Sequence, residues 1–314
     1  MRHAFAVDLG GTELRAAIVS ESGELRGLAT TATDAAGGPD AVIAQIVALL
    51  GRVVEEVGPL DVAGLGMAAP GPLDPVAGIA LAPPTLQGWH EVPLAALLST
   101  HLDVPVRLEN DANAAALGEW RFGAGQGTST MVFVTVSTGI GGGVIADGRL
   151  LHGRRGMAGE IGHMTVAYGS DEAVFGGAPG AWEALASGTA LGREATRRMA
   201  GREGAQLRAL SGDGPPTARH VVAAARIGDP LARALLRREA ELLGVGFVNL
   251  LHLYAPERIV VGGGLGAALD LMQDEIERVI QTRALAPYRD TPVVAAALGG
   301  AAGLTGAASL ILTT

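Results

Sequence analysis

The chain of 314 residues contains no cysteine and no lysine, so its 23 basic residues are all arginine. The missing thiol excludes a disulfide framework, a thiolate nucleophile and a cysteine-bound zinc. The missing amine excludes the Walker lysine, the strand lysine of protein kinases, a pyridoxal Schiff base and the Ser-x-x-Lys hydrolases. Any nucleotide held by this chain is left with backbone amides, hydroxyls, magnesium and arginine. Basic runs are also missing. The formal charge is -9 and the basic clusters are no larger than pairs such as Arg154-Arg155. Nucleic acid is therefore not an expected partner, because phosphate-backbone binding needs a basic footprint.

Long apolar runs are scarce as well. The most hydrophobic stretch, Leu242 to Tyr254, carries Asn249 and His252 and is too short to span a bilayer. Asp8 arrives before a signal-like apolar stretch has formed. No membrane association and a cytoplasmic location are expected. Hydrophobic residues make up 48% and charged residues 18%, the balance of a packed globular protein.

Apolar β-type runs at 4–8 and 14–19 flank a Gly-Gly turn, and Glu21-Ser-Gly-Glu24 turns into a strand near 25–32. Pro39 opens a helix to about Val57, with apolar residues at 42, 43, 46, 47, 50, 53, 54 and 57 in helical spacing. A strand at 62–67, a Pro/Gly-rich segment from Ala68 to Pro93, a helix at 93–101, a strand at 104–108 and a helix opening at Asp111 complete a first, smaller α/β lobe over 1–122. The second, larger lobe covers 123–300. It has strands at 130–137 and 142–146 joined through Asp147-Gly148, an irregular loop at 168–181, and helices from 182 to 256. Strand 258–261, helix 268–283 and strand 292–297 follow, and a terminal helix near 301–313 is expected to pack back on the first lobe.

Three glycine-rich turns punctuate these runs. In Asp8-Leu-Gly10-Gly11-Thr12 a tight turn exposes amides and a hydroxyl, as an ordinary hairpin also does. A carboxylate ending a buried strand is costly without a cation or water shell, which magnesium reached through water would supply. Ser137-Thr138-Gly139-Ile-Gly-Gly-Gly143 repeats the arrangement; two such turns would clamp the β- and γ-phosphates. Gly262-Gly263-Gly264-Leu-Gly266 lies between a strand and a helix, so it overlaps a dinucleotide-binding fingerprint. Only about fifty residues follow it, too few for the rest of a dinucleotide-binding sheet, and a turn on which adenosine lies flat fits better.

Between the first two turns stands Glu109-Asn110-Asp111. Asp111 reads either as the N-cap of the following helix or as a base. Phosphoryl transfer needs one carboxylate to accept the proton of the attacking hydroxyl, and an unperturbed aspartate is already ionised at pH 7. Glu160, His163 and Glu183 offer partners for vicinal hydroxyls. Glu183 reads equally as a solvated acid at a helix start, and His163 as a hydrogen-bonded structural residue. Trp89 reads as a core anchor and Arg154-Arg155 as solvated loop charges.

Taken in order, Asp8–Thr12, Ala69-Pro-Gly-Pro72, Glu109-Asn-Asp-Ala-Asn113, Ser137–Gly143, Gly159-Glu-Ile-Gly-His163, Glu183-Ala-Leu-Ala-Ser-Gly188 and Gly262-Gly-Gly264 resemble the ROK sugar kinases, bacterial glucokinases among them. The resemblance runs from about residue 3 to 310. It implies an α/β fold of the actin-like ATPase (ribonuclease H-like) class, two lobes around a central cleft, ATP bound mostly by the larger. It implies Asp111 as the base toward a sugar 6-hydroxyl, with Asn110, Glu160, His163 and Glu183 holding other hydroxyls. Asp8, Gly10, Gly11, Thr12, Thr138 and Gly139 would serve the phosphates, and Gly263 and Gly264 the adenosine. ATP and Mg2+ are the implied cofactors, and a homodimer or homotetramer the implied assembly. Many relatives carry a Cys-x-Cys-Gly-x-x-Gly-Cys zinc site after the Gly-His pair. Here those positions read Val174, Gly176 and Ala181, so that zinc site is expected to be lost. After Gly-Gly-Thr this chain has Glu13, where the family often has lysine or asparagine.

The resulting expectation is an ATP-dependent hexose kinase acting on glucose. Kinases for fructose, mannose or N-acetylated amino sugars, and a polyphosphate-using glucokinase, remain as alternatives. A sugar-sensing repressor is disfavoured because it needs a helix-turn-helix before the first strand, which here starts by residue 4. A sugar-binding module without catalysis is disfavoured because Asp111 and the phosphate turns are intact.

Overall fold

Side chains of the first strand alternate between two faces, and the chain furnishes those faces differently. Val7 and Leu9 join a core of large residues, whereas Ala4 and Ala6 present only methyl groups to the other side. The computed structural model describes residues 1–173, 177–199 and 203–312. The elements begin with β1 (His3–Leu9), β2 (Glu13–Ser20), β3 (Leu25–Ala32), α1 (Gly38–Val57), β4 (Val62–Ala69), β5 (Leu73–Asp74) and β6 (Ile79–Ala80). Then come α2 (Leu94–Leu102), β7 (Val106–Asn110), α3 (Asp111–Phe122), β8 (Met131–Val136), β9 (Ile140–Ala146) and β10 (Arg149–Leu150). Helices α4 (Trp182–Ala186), α5 (Gly188–Arg198), α6 (Ala205–Ser211), α7 (Ala218–Arg226) and α8 (Pro230–Tyr254) follow in succession. The chain closes with β11 (Arg258–Gly262), α9 (Gly263–Gly266), α10 (Gln273–Arg283), β12 (Val293–Ala295) and α11 (Ala302–Leu312).

Two compact units result. One holds residues 1–128, 143–159 and the described chain from 297 on; the other holds 129–142 and 160–296. The sequence predicts a boundary at 122, with all of 123–300 in the second lobe. The structure groups 143–159 with the first unit because Gly143 lets β9 lie against α3. A Cβ there would come 2.6 Å from the Cβ of Ala116.

The first unit is built on a sheet of order β3-β2-β1-β4-β7, antiparallel across β3-β2-β1 and parallel across β1-β4-β7. Val42, Ile46, Leu50 and Val53 of α1 and Leu94 and Leu98 of α2 cover its large-residue face. Each such side chain contributes about 1.5–3 kcal/mol when fully buried. The methyl-lined face takes α11, whose Leu304, Ala308 and Ile311 meet Ala4, Ala6 and Ala17. Glycines set the closeness of this layer: a Cβ on Gly66 would sit 1.8 Å from Ala307 O, and one on Gly306 1.6 Å from Ala114 O. Asp8 shares the even-numbered register of Ala4 and Ala6, so it too points toward α11.

In the second unit β8, β11 and β12 pair in parallel, and β9 begins there. The sequence reading started this strand at 142; it starts at Ile140, so Gly141, Gly142 and Gly143 lie inside a strand. Close packing demands glycine at 142 and 143: a Cβ on Gly142 would be 2.3 Å from Ile161 Cδ1, as one on Gly143 would be 2.6 Å from Ala116 Cβ. The helix expected over 268–283 is broken, with a 3-10 turn at Leu269–Leu271 before α10. Asp229 caps α8, accepting the N–H of Ala232 at 2.9 Å, and Pro230 occupies its first position. Trp182 is buried against Phe247 of α8, edge to face at 5.6 Å, and donates its indole N–H to Leu242 O at 3.0 Å. That anchor holds α4, and with it Glu183. Among the described residues no helix is long and apolar enough to cross a membrane.

Candidate active site

In the first unit the turn after β1 is closed by the N–H of Gly10, which donates to Glu13 O at 2.8 Å, while the Thr33 hydroxyl donates to Gly10 O at 2.8 Å. One of the amides expected to face phosphate is thus committed to the turn itself, leaving Gly11 and Thr12 as candidates. Gly11 has no room for a side chain, since a Cβ would come 2.6 Å from the Cβ of Thr85. Asp8 stands opposite Arg15 in the β1–β2 register, and the two side chains form an ion pair. Arg15 is fixed in turn by donating to Gly300 O at 2.7 Å. The neighbouring strand thus gives this carboxylate one cationic partner. Burial still raises the Asp8 carboxyl above the usual range, against the lowering effect of Arg15.

The corner between β7 and α3 separates two jobs that the sequence left merged. Asn110, not Asp111, caps α3: its Oδ1 accepts from the N–H groups of Ala112 at 3.0 Å and Asn113 at 3.2 Å. Asp111 is the first helical residue, exposed, with Oδ1 accepting the N–H of Ala112 at 2.8 Å. The positive end of the helix favours a carboxylate there. Glu109, just behind, is buried, and its Oε1 accepts from Asn110 N at 2.9 Å and Asn113 Nδ2 at 3.0 Å. Its Oε2 meets His152 Nε2 at 2.7 Å, and this hydrogen bond raises the imidazole pKa.

In the second unit the structure gathers three sequence candidates around one turn. Ser137 N donates to Gly139 O at 2.9 Å, closing the bend that presents Thr138 and Gly139. Glu183 accepts the next amide, that of Ile140, at 2.7 Å. The 3-10 turn Ile161–His163, which follows Glu160, lies against the same place. A Cβ on Gly162 would come 2.2 Å from Ile140 O and 3.4 Å from Glu183 Cβ. Glu160 and His163 themselves are exposed.

The same bend opens on a cavity of about 1080 Å³, whose lining includes Thr138, Thr189, Arg193, Pro216, His220 and Gly264. Gly263, at φ 82°, needs to be glycine, because a Cβ would lie 2.4 Å from Val136 O. Beside it Gly264 has open space, so that backbone can be approached closely. Thr189 ties α5 to the bend by donating its hydroxyl to Thr138 O at 2.8 Å. Arg193 donates to Ala184 O at 2.6 Å and pairs with Glu172 at 2.9 Å. Thr189, Arg193 and His220 are lining residues that no sequence motif marks. The one local signal was Pro215-Pro216-Thr217, a helix start, which the structure makes a capping box between Thr217 and His220.

Of the expected vanished zinc ligands, Val174 and Gly176 lie outside the described residues, and Ala181 is fully buried. Among the described residues no group of three or more His, Cys, Asp or Glu is placed to hold a metal ion. The described part of the 168–181 loop is tied down by Glu172. Its carboxylate pairs with Arg193 and with Arg197 at 2.6 Å, and its carbonyl accepts the Gly180 N–H at 2.8 Å.

A family model described as ROK family matches residues 4–314. A glucokinase of Streptomyces coelicolor is 36% identical over 315 residues, covering 97% of this chain and 96% of that one. The crystal structure of a ROK family glucokinase from Streptomyces griseus in complex with glucose and AMPPNP superposes with a TM-score of 0.85 at 35% identity, covering 99% of this chain and 100% of the other. A ROK family transcriptional regulator, a homolog of the E. coli MLC protein, superposes with a TM-score of 0.88 at 26% identity, covering 99% of this chain and 78% of the other.

Proposed function

This chain belongs to the ROK family, and from that premise we propose that it transfers the γ-phosphoryl group of ATP to the 6-hydroxyl of glucose. It has the actin-like ATPase fold of the family's glucokinases and is a sugar kinase, a phosphotransferase with an alcohol acceptor. The observation that carries the finer reading is the division of labour at the β7–α3 corner. With Asn110 capping the helix, the carboxylate of Asp111 is not needed as the cap.

In this reading Asp111 accepts the proton of the 6-hydroxyl as that oxygen attacks the γ-phosphorus. The bond from phosphorus to the β–γ bridging oxygen breaks and ADP leaves. Asn110, Glu160, His163 and Glu183 hold the remaining sugar hydroxyls. The cavity beside Thr138 receives the nucleoside, with Gly263 and Gly264 bordering the adenosine. The amides of Gly11, Thr12, Thr138 and Gly139 meet the phosphates. Magnesium fits as an ion carried mainly by the nucleotide phosphates and needing one or two carboxylates. Asp8, with one oxygen on Arg15, would reach its hydration shell with the other. The bound ion would neutralise charge on the phosphoryl oxygens.

Coupled ADP release against glucose, fructose, mannose and N-acetylated amino sugars, with ATP or polyphosphate and magnesium, tests the proposal. Glucose with ATP is expected to give the highest kcat/KM. Absence of turnover with every hexose would end the reading.

A further inference from the structure

We propose that His152 is a positioning residue for the acceptor base: through its hydrogen bond to the buried Glu109 it holds the strand-to-helix corner that carries Asn110 and Asp111. The inference rests on the sugar-kinase reading for its effect on turnover, and on geometry alone for its effect on the corner.

Glu109 is 1% exposed, and its two oxygens face opposite duties. Oε1 takes Asn110 N and the Asn113 side-chain amide, two groups that bracket Asp111 in the chain. Among the described residues Oε2 takes His152 alone, at 2.7 Å. A buried carboxylate stripped of a partner is costly, and it reorients to find another. Reorientation here would release Asn113, whose Oδ1 has no partner among the described residues. The cap would loosen with it.

His152 itself is held in place. Leu151 N donates to Val144 O at 2.8 Å and Ala158 N donates to His152 O at 3.1 Å, so the residue hangs from the β9–β10 hairpin rather than from a free loop. The hairpin is set on α3 by Gly143, which a Cβ would drive to 3.0 Å from Asn113 Oδ1. Imidazole, carboxylate and helix start thus form one chain of contacts within the first unit. A carboxylate displaced by an ångström from its acceptor loses about a hundredfold in rate.

The test compares His152→Ala and His152→Gln in the full chain by steady-state kinetics, thermal unfolding and amide hydrogen exchange. In His152→Ala, kcat is expected to fall about a hundredfold, with the hexose KM within about threefold. Exchange at Ala112 and Asn113 is expected to quicken about tenfold. In His152→Gln, whose side-chain amide still donates to Glu109, both readouts are expected within about threefold of the parent chain. The proposal is overturned if His152→Ala keeps kcat and exchange within threefold of the parent, or if it lowers only the unfolding temperature. Were the parent chain to phosphorylate no hexose, the kinase reading would fail by itself. The exchange comparison would still decide whether His152 holds the corner.

Discussion

The carboxylate of Glu183 accepts the main-chain N–H of Ile140 at 2.7 Å, joining the residue we propose for the sugar to the turn we propose for the phosphates. The approach is so close that a Cβ on Gly139 would stand 2.3 Å from the same oxygen. A hydrogen bond from an amide to a charged group contributes about 1.5–3 kcal/mol, enough to hold a glycine bend that has little packing of its own.

Glu183→Ala is therefore expected to raise KM for ATP as well as for the hexose, each about tenfold. Had Glu183 served sugar hydroxyls alone, the ATP constant would stay put. Saturation curves in each substrate, measured with the other in excess, separate the two cases.

Asp111→Asn keeps the shape of the side chain and removes its basicity, while Asn110 continues to cap α3. Turnover is expected to drop at least about a hundredfold, with stability lowered by no more than the about 0.3–1 kcal/mol that a charge at a helix N-terminus contributes. A loss smaller than tenfold would remove Asp111 as the base.

Glu119 is fully buried in α3 and accepts three backbone N–H groups, from Ala124 at 2.8 Å, Ala297 at 3.0 Å and Leu298 at 2.8 Å. It pins the chain segment that leads into α11. Glu119→Gln turns an NH2 group toward those donors and is expected to cost about 3 kcal/mol. Urea unfolding reads this as an earlier midpoint with an unchanged slope.

Glu239 in α8 is buried, with no hydrogen-bond partner for either oxygen among the described residues. Desolvation pushes its carboxyl up from 4.5 to about 8, against a weaker pull downward from Arg238. The folded chain holds this proton to higher pH than the unfolded chain does. Its contribution to stability is thus full below the unfolded value, falls as pH rises, and levels off above about 8. The swing is at most about 5 kcal/mol. Glu239→Gln should gain on the parent chain in urea unfolding as pH climbs from 5 to about 8. A gap between the two that stays constant with pH would contradict the assignment.

The strands beside the Gly-Gly turn and the helix after Pro39 could be read locally, because periods of two and of 3.6 residues are properties of neighbours along the chain. So could the helix after Asn110. Which residue caps it stayed open, because Asn and Asp serve that position equally well, and the fold gives the cap to Asn110. The run Gly139–Gly143 misled for a different reason. A glycine needed for a bend and one needed for close packing look alike in sequence, and only the approach of Ile161 to Gly142 tells them apart. The grouping of 143–159 with the first unit was not legible on similar grounds, since nothing in that segment announces α3 as its support.

By itself the sequence decided what chemistry this protein has to work with: no amine, no thiol, glycine bends beside apolar strands, and the Asn110-Asp111 pair. These follow from composition and from contacts between near neighbours. Which carboxylates are already engaged was decided only by tertiary structure, where Asp8 meets Arg15, Glu109 meets His152 and Glu183 meets Ile140. A buried acid takes whatever donor packing brings within reach. For Glu109 and Glu183 that donor lies 43 residues away along the chain.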